Sequence, residues 1–86
     1  MRIDKTIKGE KFCFYFKFLP DNMTAKVRYF GSNNYYDCKI SEDFKYIILP
    51  DNFPPIYIDG VGETTVKKLK LNKRMQEDAK FYNDRF

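Results

Sequence analysis

The 86-residue sequence contains no histidine, no tryptophan and only two cysteines. Histidine is the side chain that most often serves as a general base near neutral pH, so its absence excludes the Ser-His-Asp and Cys-His nucleophile arrangements. Zinc sites normally take four nitrogen or sulfur ligands. Two cysteines, with no histidine and no CxxC spacing, cannot supply them. The sequence therefore predicts no metal site.

Long hydrophobic runs are absent as well. No segment approaches the ~20 consecutive apolar residues that a membrane-spanning helix needs, and the N-terminal MRIDKTIKGEK has no apolar core like that of a signal peptide. We therefore expect a cytoplasmic protein with no membrane partner. In that compartment Cys13 and Cys38 are expected to stay unpaired and to be dispensable.

Apolar and aromatic residues are plentiful, at 43% and 19% of the chain. This content is typical of a folded globule and argues against disorder. A chain of 86 residues has room for one domain with a small core. We expect a single domain spanning residues 1–86.

The clearest local pattern is KFCFYFKFL, residues 11–19, which alternates with period two. Alternation of this kind predicts a half-buried β-strand. Its four phenylalanines share one face, and burying each contributes roughly 1.5–3 kcal/mol, so this strand should form the centre of the core. The LPDN that follows at 19–22 recurs at 49–52. We interpret the recurrence as two strands that end in the same turn chemistry.

Further strands are predicted over 24–30, 35–40 and 44–49. The segment FPPIYIDGVGETTVKKLKL, residues 53–71, predicts another hairpin that turns at DGVG and returns in TTVKKLKL, with the strand over 66–71. Helical spacing begins at Leu71, and Asn72 is a suitable N-cap for a helix over about 73–85. The predicted fold is α+β. It comprises a five- or six-stranded antiparallel meander within about 11–71, curled or closed as a small barrel, and one C-terminal helix whose apolar stripe packs on the sheet.

One spacing is typical of a nuclease site. Pro20-Asp21 followed by Asp43-Phe44-Lys45 has the form PD…(D/E)xK, in which carboxylates hold Mg²⁺. However, Asp21 occupies a turn position that Asp51 duplicates, whereas a metal carboxylate should lie on or beside a central strand. DGVGETT also lacks the lysine of a phosphate-binding loop. We therefore predict no catalytic residues, no cofactor and no enzymatic activity.

Positive charge is unevenly distributed. The net charge is +4, and the segment from Thr64 to Gln76 contains five basic residues and no acidic one. Basic and aromatic residues also alternate along the first two predicted strands, and such a surface suits single-stranded nucleic acid. The predicted binding residues are Lys67, Lys68, Lys70, Lys73, Arg74, Lys17, Tyr15, Lys26 and Arg28.

Two functions are compatible with this surface. The first is a small non-enzymatic protein that binds nucleic acid, preferentially single-stranded. The alternative is a phage-type accessory or inhibitor protein that blocks a protein partner, such as a nucleic-acid-handling enzyme. Acidic residues on the same strands and loops, including Asp37, Glu42 and Asp43, would favour the alternative if they interrupt the basic surface.

Overall fold

The structure, a computed structural model, describes residues 1–19, 24–29 and 33–85, and the side chains within these ranges up to Phe81. The predicted turn positions at 20–22 and 31–32 lie outside the described residues.

Eight strands and one helix make up the described fold. The elements are β1 (Arg2–Ile7), β2 (Glu10–Phe18), β3 (Thr24–Tyr29), β4 (Tyr36–Ile40), β5 (Tyr46–Ile48), β6 (Ile56–Ile58), β7 (Gly62–Thr64), β8 (Lys68–Lys70) and α1 (Lys73–Arg85). Six of the strands form one antiparallel sheet in the order β1-β2-β3-β4-β5-β8, nearly closed into a barrel, while β6 and β7 form a separate hairpin. This architecture confirms the predicted antiparallel α+β fold with a C-terminal helix. The predicted return strand TTVKKLKL is divided, however, because β7 pairs with β6 whereas β8 pairs with β5.

Strand β1 lies outside the prediction, in which strands occur only within about 11–71. Ile3 and Ile7 lie in the inward register, but Lys5 between them interrupts the apolar alternation that marks a strand. The turn into β2 is a tight one in which Lys8 and Gly9 have φ of 52° and 84°. Two positive φ values in succession are characteristic of a type I′ hairpin turn.

Lys5 lies at the seam where β1 faces β8. Its Nζ donates a hydrogen bond to the backbone oxygen of Lys68 at 3.1 Å, although β1 and β8 do not pair as strands. An inward-register charge on an edge strand discourages further strand pairing. The lysine thus bridges the two edges of the sheet without closing the hydrogen-bonded ladder.

The core lies where the sequence pattern placed it. Phe12, Phe14 and Phe16 are buried, which confirms the inward phenylalanine face, and Phe18 is half-buried. Other fully buried side chains come from β3, β5 and β8 and from the residue that follows β8. They include Val27, Ile47, Leu69 and Leu71.

The helix also follows its prediction where it is described. Asn72 Oδ1 accepts a hydrogen bond from the Met75 backbone nitrogen at 2.9 Å, as an N-cap does. Ala79 is fully buried and Met75 packs against the core, so the apolar stripe contacts the sheet. Tyr82 and Phe86, the remaining positions of the stripe, lie outside the described side chains.

Strand β5 is shorter than the predicted 44–49. Phe44 has φ of 62°, a left-handed conformation that a strand cannot contain, and its backbone nitrogen donates to the Ser41 oxygen at 2.9 Å. The chain therefore turns before β5 begins at Tyr46.

The two cysteines are free, as predicted, and differ in environment. Cys38 is buried on the inward side of β4, and burial raises the pKa of its thiol to about 12. Cys13 is half-buried on the outward side of β2.

We expect a disulfide reagent at pH 8 to modify one thiol in the native protein and both in denaturant, since only a thiolate reacts. Cys13→Ser should abolish the native reaction while keeping the fold; rapid native labelling of that variant at Cys38 would contradict the burial.

Candidate nucleic-acid interface

Four of the predicted site residues come together on the outward face of β2 and β3. Because the phenylalanines of β2 point inward, Tyr15 and Lys17 between them point outward. The register pairs Tyr15 with Arg28 and Lys17 with Lys26, so the four side chains form two neighbouring cross-strand pairs. Residues that are far apart in the sequence thereby form one surface.

A third aromatic residue, Tyr35, joins this group from the chain just before β4. The Arg28 guanidinium carbon lies 4.9 Å from the centre of the Tyr15 ring and 5.7 Å from that of Tyr35. Lys17 Nζ lies 5.1 Å from the centre of the Tyr35 ring, which belongs to a side chain that is 45% exposed. We call Tyr15, Lys17, Arg28 and Tyr35 the Tyr35 cluster.

Tyr35 was not among the predicted site residues, although the alternation in the surrounding sequence indicates that its side chain faces outward. In YYDCKI the alternate positions Tyr36, Cys38 and Ile40 are the less exposed ones. The same alternation places Tyr35 on the outward side with Asp37. Its proximity to Lys17 depends on strand pairing, which the local pattern does not contain.

The cluster can exchange its internal contacts for contacts with an anion. Cation–π contacts at exposed sites are worth about 0.5–1 kcal/mol, whereas a hydrogen bond to a charged group is worth about 1.5–3 kcal/mol. A phosphate beside Lys17 or Arg28 can therefore compete with the tyrosine rings for the cations. A ring released in this way offers its face to a nucleic-acid base.

Acidic residues border the cluster on both sides. On β1, Asp4 lies 3.0 Å from Arg2 and 3.8 Å from Lys11, and the hydrogen bond from Arg2 lowers the pKa of its carboxyl group. On β4, Asp37 Oδ1 lies 3.6 Å from Lys26 Nζ. Lys26, a predicted site residue, thus has an acidic neighbour, although an exposed ion pair of this kind contributes only about 0–1 kcal/mol to folding stability.

Asp43, which belongs to the nuclease-like spacing, has a local role in the turn before β5. Its Oδ1 accepts hydrogen bonds from Ser41 Oγ at 2.6 Å and from the Lys45 backbone nitrogen at 3.0 Å. The bond from Ser41, followed by that from Lys45, lowers the pKa of the Asp43 carboxyl group. Asp21, the other acidic residue of that spacing, lies outside the described residues.

A second basic surface covers β4, β5 and β8. Lys68 and Lys70 are exposed on either side of buried Leu69, and Lys68 Nζ lies 4.4 Å from the centre of the Tyr46 ring. The register pairs Lys68 with Ile48 and Ile48 in turn with Lys39. We call Lys39, Tyr46, Ile48, Lys68 and Lys70 the β8 surface. None of its lysines belongs to an ion pair formed among the residues that the structure describes.

The other basic residues of the segment from Thr64 to Gln76 are exposed but lie in two different places. Lys67 precedes β8, and its backbone oxygen accepts a hydrogen bond from Leu49 at 2.9 Å. Lys73 and Arg74 lie in the first turn of α1. Arg74 lines a cavity of about 390 Å³ together with residues that include Arg2 and Asp78, so its surroundings differ from those of the β8 surface.

Comparisons with known proteins found no matching protein family, no similar curated protein and no similar solved structure. Within the described ranges, no helix has the length and apolar character required to span a membrane. In the same part of the chain, no three His, Cys, Asp or Glu side chains are grouped so that they could hold a metal ion.

Proposed function

We propose that this protein binds single-stranded nucleic acid, without enzymatic activity, through the outward face of its main sheet. The observation that carries the proposal is the Tyr35 cluster, in which an exposed ring lies beside Lys17 and Arg28. Proteins that bind single strands combine aromatic rings, on which bases stack, with cations that follow the backbone. Three of the four cluster residues are on paired strands, which hold them in a defined arrangement.

The preference for single strands follows from what a tyrosine can contact. In a duplex the faces of the bases are stacked on each other, so an exposed ring such as Tyr35 finds only their edges and the phosphates. An unpaired base offers its whole face, whatever its identity. We therefore expect tighter binding to single strands with little sequence preference.

Tyr35→Ala should weaken binding of a single-stranded oligonucleotide by about 5- to 150-fold, because loss of one base–aromatic stack costs about 1–3 kcal/mol. The measurement is fluorescence anisotropy with a labelled twelve-nucleotide single strand at fixed salt. Tyr57→Ala is the matched control, since this tyrosine is 69% exposed on the separate β6–β7 hairpin. The affinity of Tyr57→Ala for the single strand should stay within about twofold of wild type.

Salt dependence provides a further check on the same binding curves. Each phosphate neutralised contributes about −0.7 to the slope of log affinity against log salt for single strands. Lys17→Gln/Arg28→Gln should therefore make the slope less negative by about 1.4. Absence of wild-type binding at about 50 mM salt, where counterion release strongly favours association, would contradict the proposed function.

A protein partner is the second candidate, and the β6–β7 hairpin is the observation that favours it. Tyr57 and Val61 are 69% and 54% exposed there, and exposed aromatic residues often anchor protein interfaces. Tyr35→Ala and Tyr57→Ala distinguish the two candidate functions. A protein partner at the hairpin predicts a complex that survives nuclease treatment and is weakened by Tyr57→Ala but not by Tyr35→Ala.

A further inference from the structure

We propose that one single strand crosses the sheet from the Tyr35 cluster, over β3 and β4, to the β8 surface, and that Asp37 at the crossing limits its affinity. This inference rests on the proposed function and adds to it a path, a minimum length and a residue that opposes binding.

The outward face of the sheet is continuous between the Tyr35 cluster and the β8 surface. One cross-strand row runs through Lys17, Lys26 and Asp37. Side chains two positions apart on a strand share a face, so the next row begins two residues away on β3, at Thr24. This second row runs from Thr24 through Lys39 and Ile48 to Lys68. The two rows are adjacent on β3 and β4, and they connect the Tyr35 cluster to the β8 surface.

The distance to be crossed is compatible with a short oligonucleotide. The path spans four strand intervals, from β2 through β3, β4 and β5 to β8. At roughly 4.8 Å per interval the path measures about 19 Å along the sheet. A stacked single strand advances about 3.4 Å per nucleotide and needs about six nucleotides to cover it. A trinucleotide is too short to contact both ends.

The β8 surface offers the same kinds of contact as the Tyr35 cluster. Lys39, Lys68 and Lys70 can follow phosphates, and the Tyr46 ring under Lys68 is half-buried in β5. Ile48 is 40% exposed between two of these lysines in the register, so a base can pack on its side chain. Cations that flank an apolar residue suit the alternating phosphates and bases of a single strand.

Asp37 is the acidic residue that the path meets. Its side chain is 82% exposed and its Oδ1 lies 3.6 Å from Lys26 Nζ. The Asp37 carboxylate repels a phosphate of the bound strand. It also forms an ion pair with Lys26, the cation that would otherwise contact this phosphate. Removing its charge should therefore strengthen binding.

The first experiment compares Lys68→Gln/Lys70→Gln with wild type, using a thymidine dodecamer and a thymidine trimer. The dodecamer should lose about 1.4 units of salt slope, whereas the trimer still has the Tyr35 cluster as a binding site and should lose at most about half of its affinity. The control is Lys8→Gln/Lys80→Gln, which removes the same charge from exposed positions in the β1–β2 turn and on the helix. This control should leave both oligonucleotides within about twofold of wild type.

The second experiment compares Asp37→Asn with Asp59→Asn, which changes the net charge equally but lies at the exposed tip of the β6–β7 hairpin. Loss of an exposed charge contact changes a free energy by about 0.2–1 kcal/mol. Asp37→Asn should therefore tighten dodecamer binding by about 1.4- to 5-fold. Equal affinities of the two variants would overturn the role of Asp37.

The outcomes separate this inference from the proposed function. If wild type binds neither oligonucleotide, the proposed function fails and the path fails with it. If Tyr35→Ala weakens dodecamer binding but Lys68→Gln/Lys70→Gln does not, the function stands and the path is wrong. Two dodecamers bound per chain would also overturn a single continuous path.

Discussion

Replacing Phe14 by alanine should lower the free energy of unfolding by about 3–5 kcal/mol, the usual cost of removing a buried aromatic ring. Phe14 is fully buried near the middle of β2. Its ring centre lies 5.5 Å from that of Tyr29 and 6.2 Å from that of Phe53, so the deletion removes two ring contacts and leaves a cavity. Small domains have only about 5–15 kcal/mol of stability in total. This one substitution therefore removes a substantial share of the stability.

Urea denaturation followed by far-UV circular dichroism measures this loss. Phe16→Ala should behave similarly, because Phe16 is only 2% exposed. Phe81→Ala is the matched control, since this phenylalanine is 57% exposed on α1 and should change stability by about 0.5 kcal/mol or less. Equal midpoints for Phe14→Ala and Phe81→Ala would mean that the inward face of β2 has been assigned to the wrong side.

Leu71→Ala should cost about 2–5 kcal/mol, because Leu71 connects the sheet to the helix. Its side chain is fully buried. Its backbone nitrogen donates to the Lys45 oxygen at 2.8 Å, and its backbone oxygen accepts from Gln76 Nε2 at 2.9 Å. Loss of packing here should loosen both the end of β8 and the first turn of α1.

The same denaturation experiment tests Leu71→Ala against Ile48→Ala. Ile48 is 40% exposed on β5, so its truncation should cost under about 1 kcal/mol, within the range of strand propensities. Because Ile48 belongs to the β8 surface, its alanine variant should weaken dodecamer binding while remaining folded. A larger loss of stability for Ile48→Ala than for Leu71→Ala would contradict the assignment of inward and outward faces.

Local patterns determined those parts of the fold whose physical cause lies within a few residues. The period-two alternation of residues 11–19 predicted β2 and its buried face, because neighbouring side chains of a strand point to opposite sides. Asn72 predicted the start of α1, because an N-cap bonds a nitrogen only a few positions later. In the same way, the alternation placed Tyr15 and Lys17 on the outward face.

Strand pairing decided what the sequence alone did not contain. The strand β1 escaped prediction because Lys5 lies in its inward register, an arrangement that depends on the Lys68 oxygen 63 positions away. Tyr35 joined the candidate site because β2, β3 and the start of β4 bring Lys17 and Arg28 to its ring. Register is a property of two strands, since it depends on cross-strand packing and hydrogen bonds, and a single segment shows only its own alternation. The sequence alone therefore predicted which residues face outward, and the tertiary structure decided which of them lie side by side.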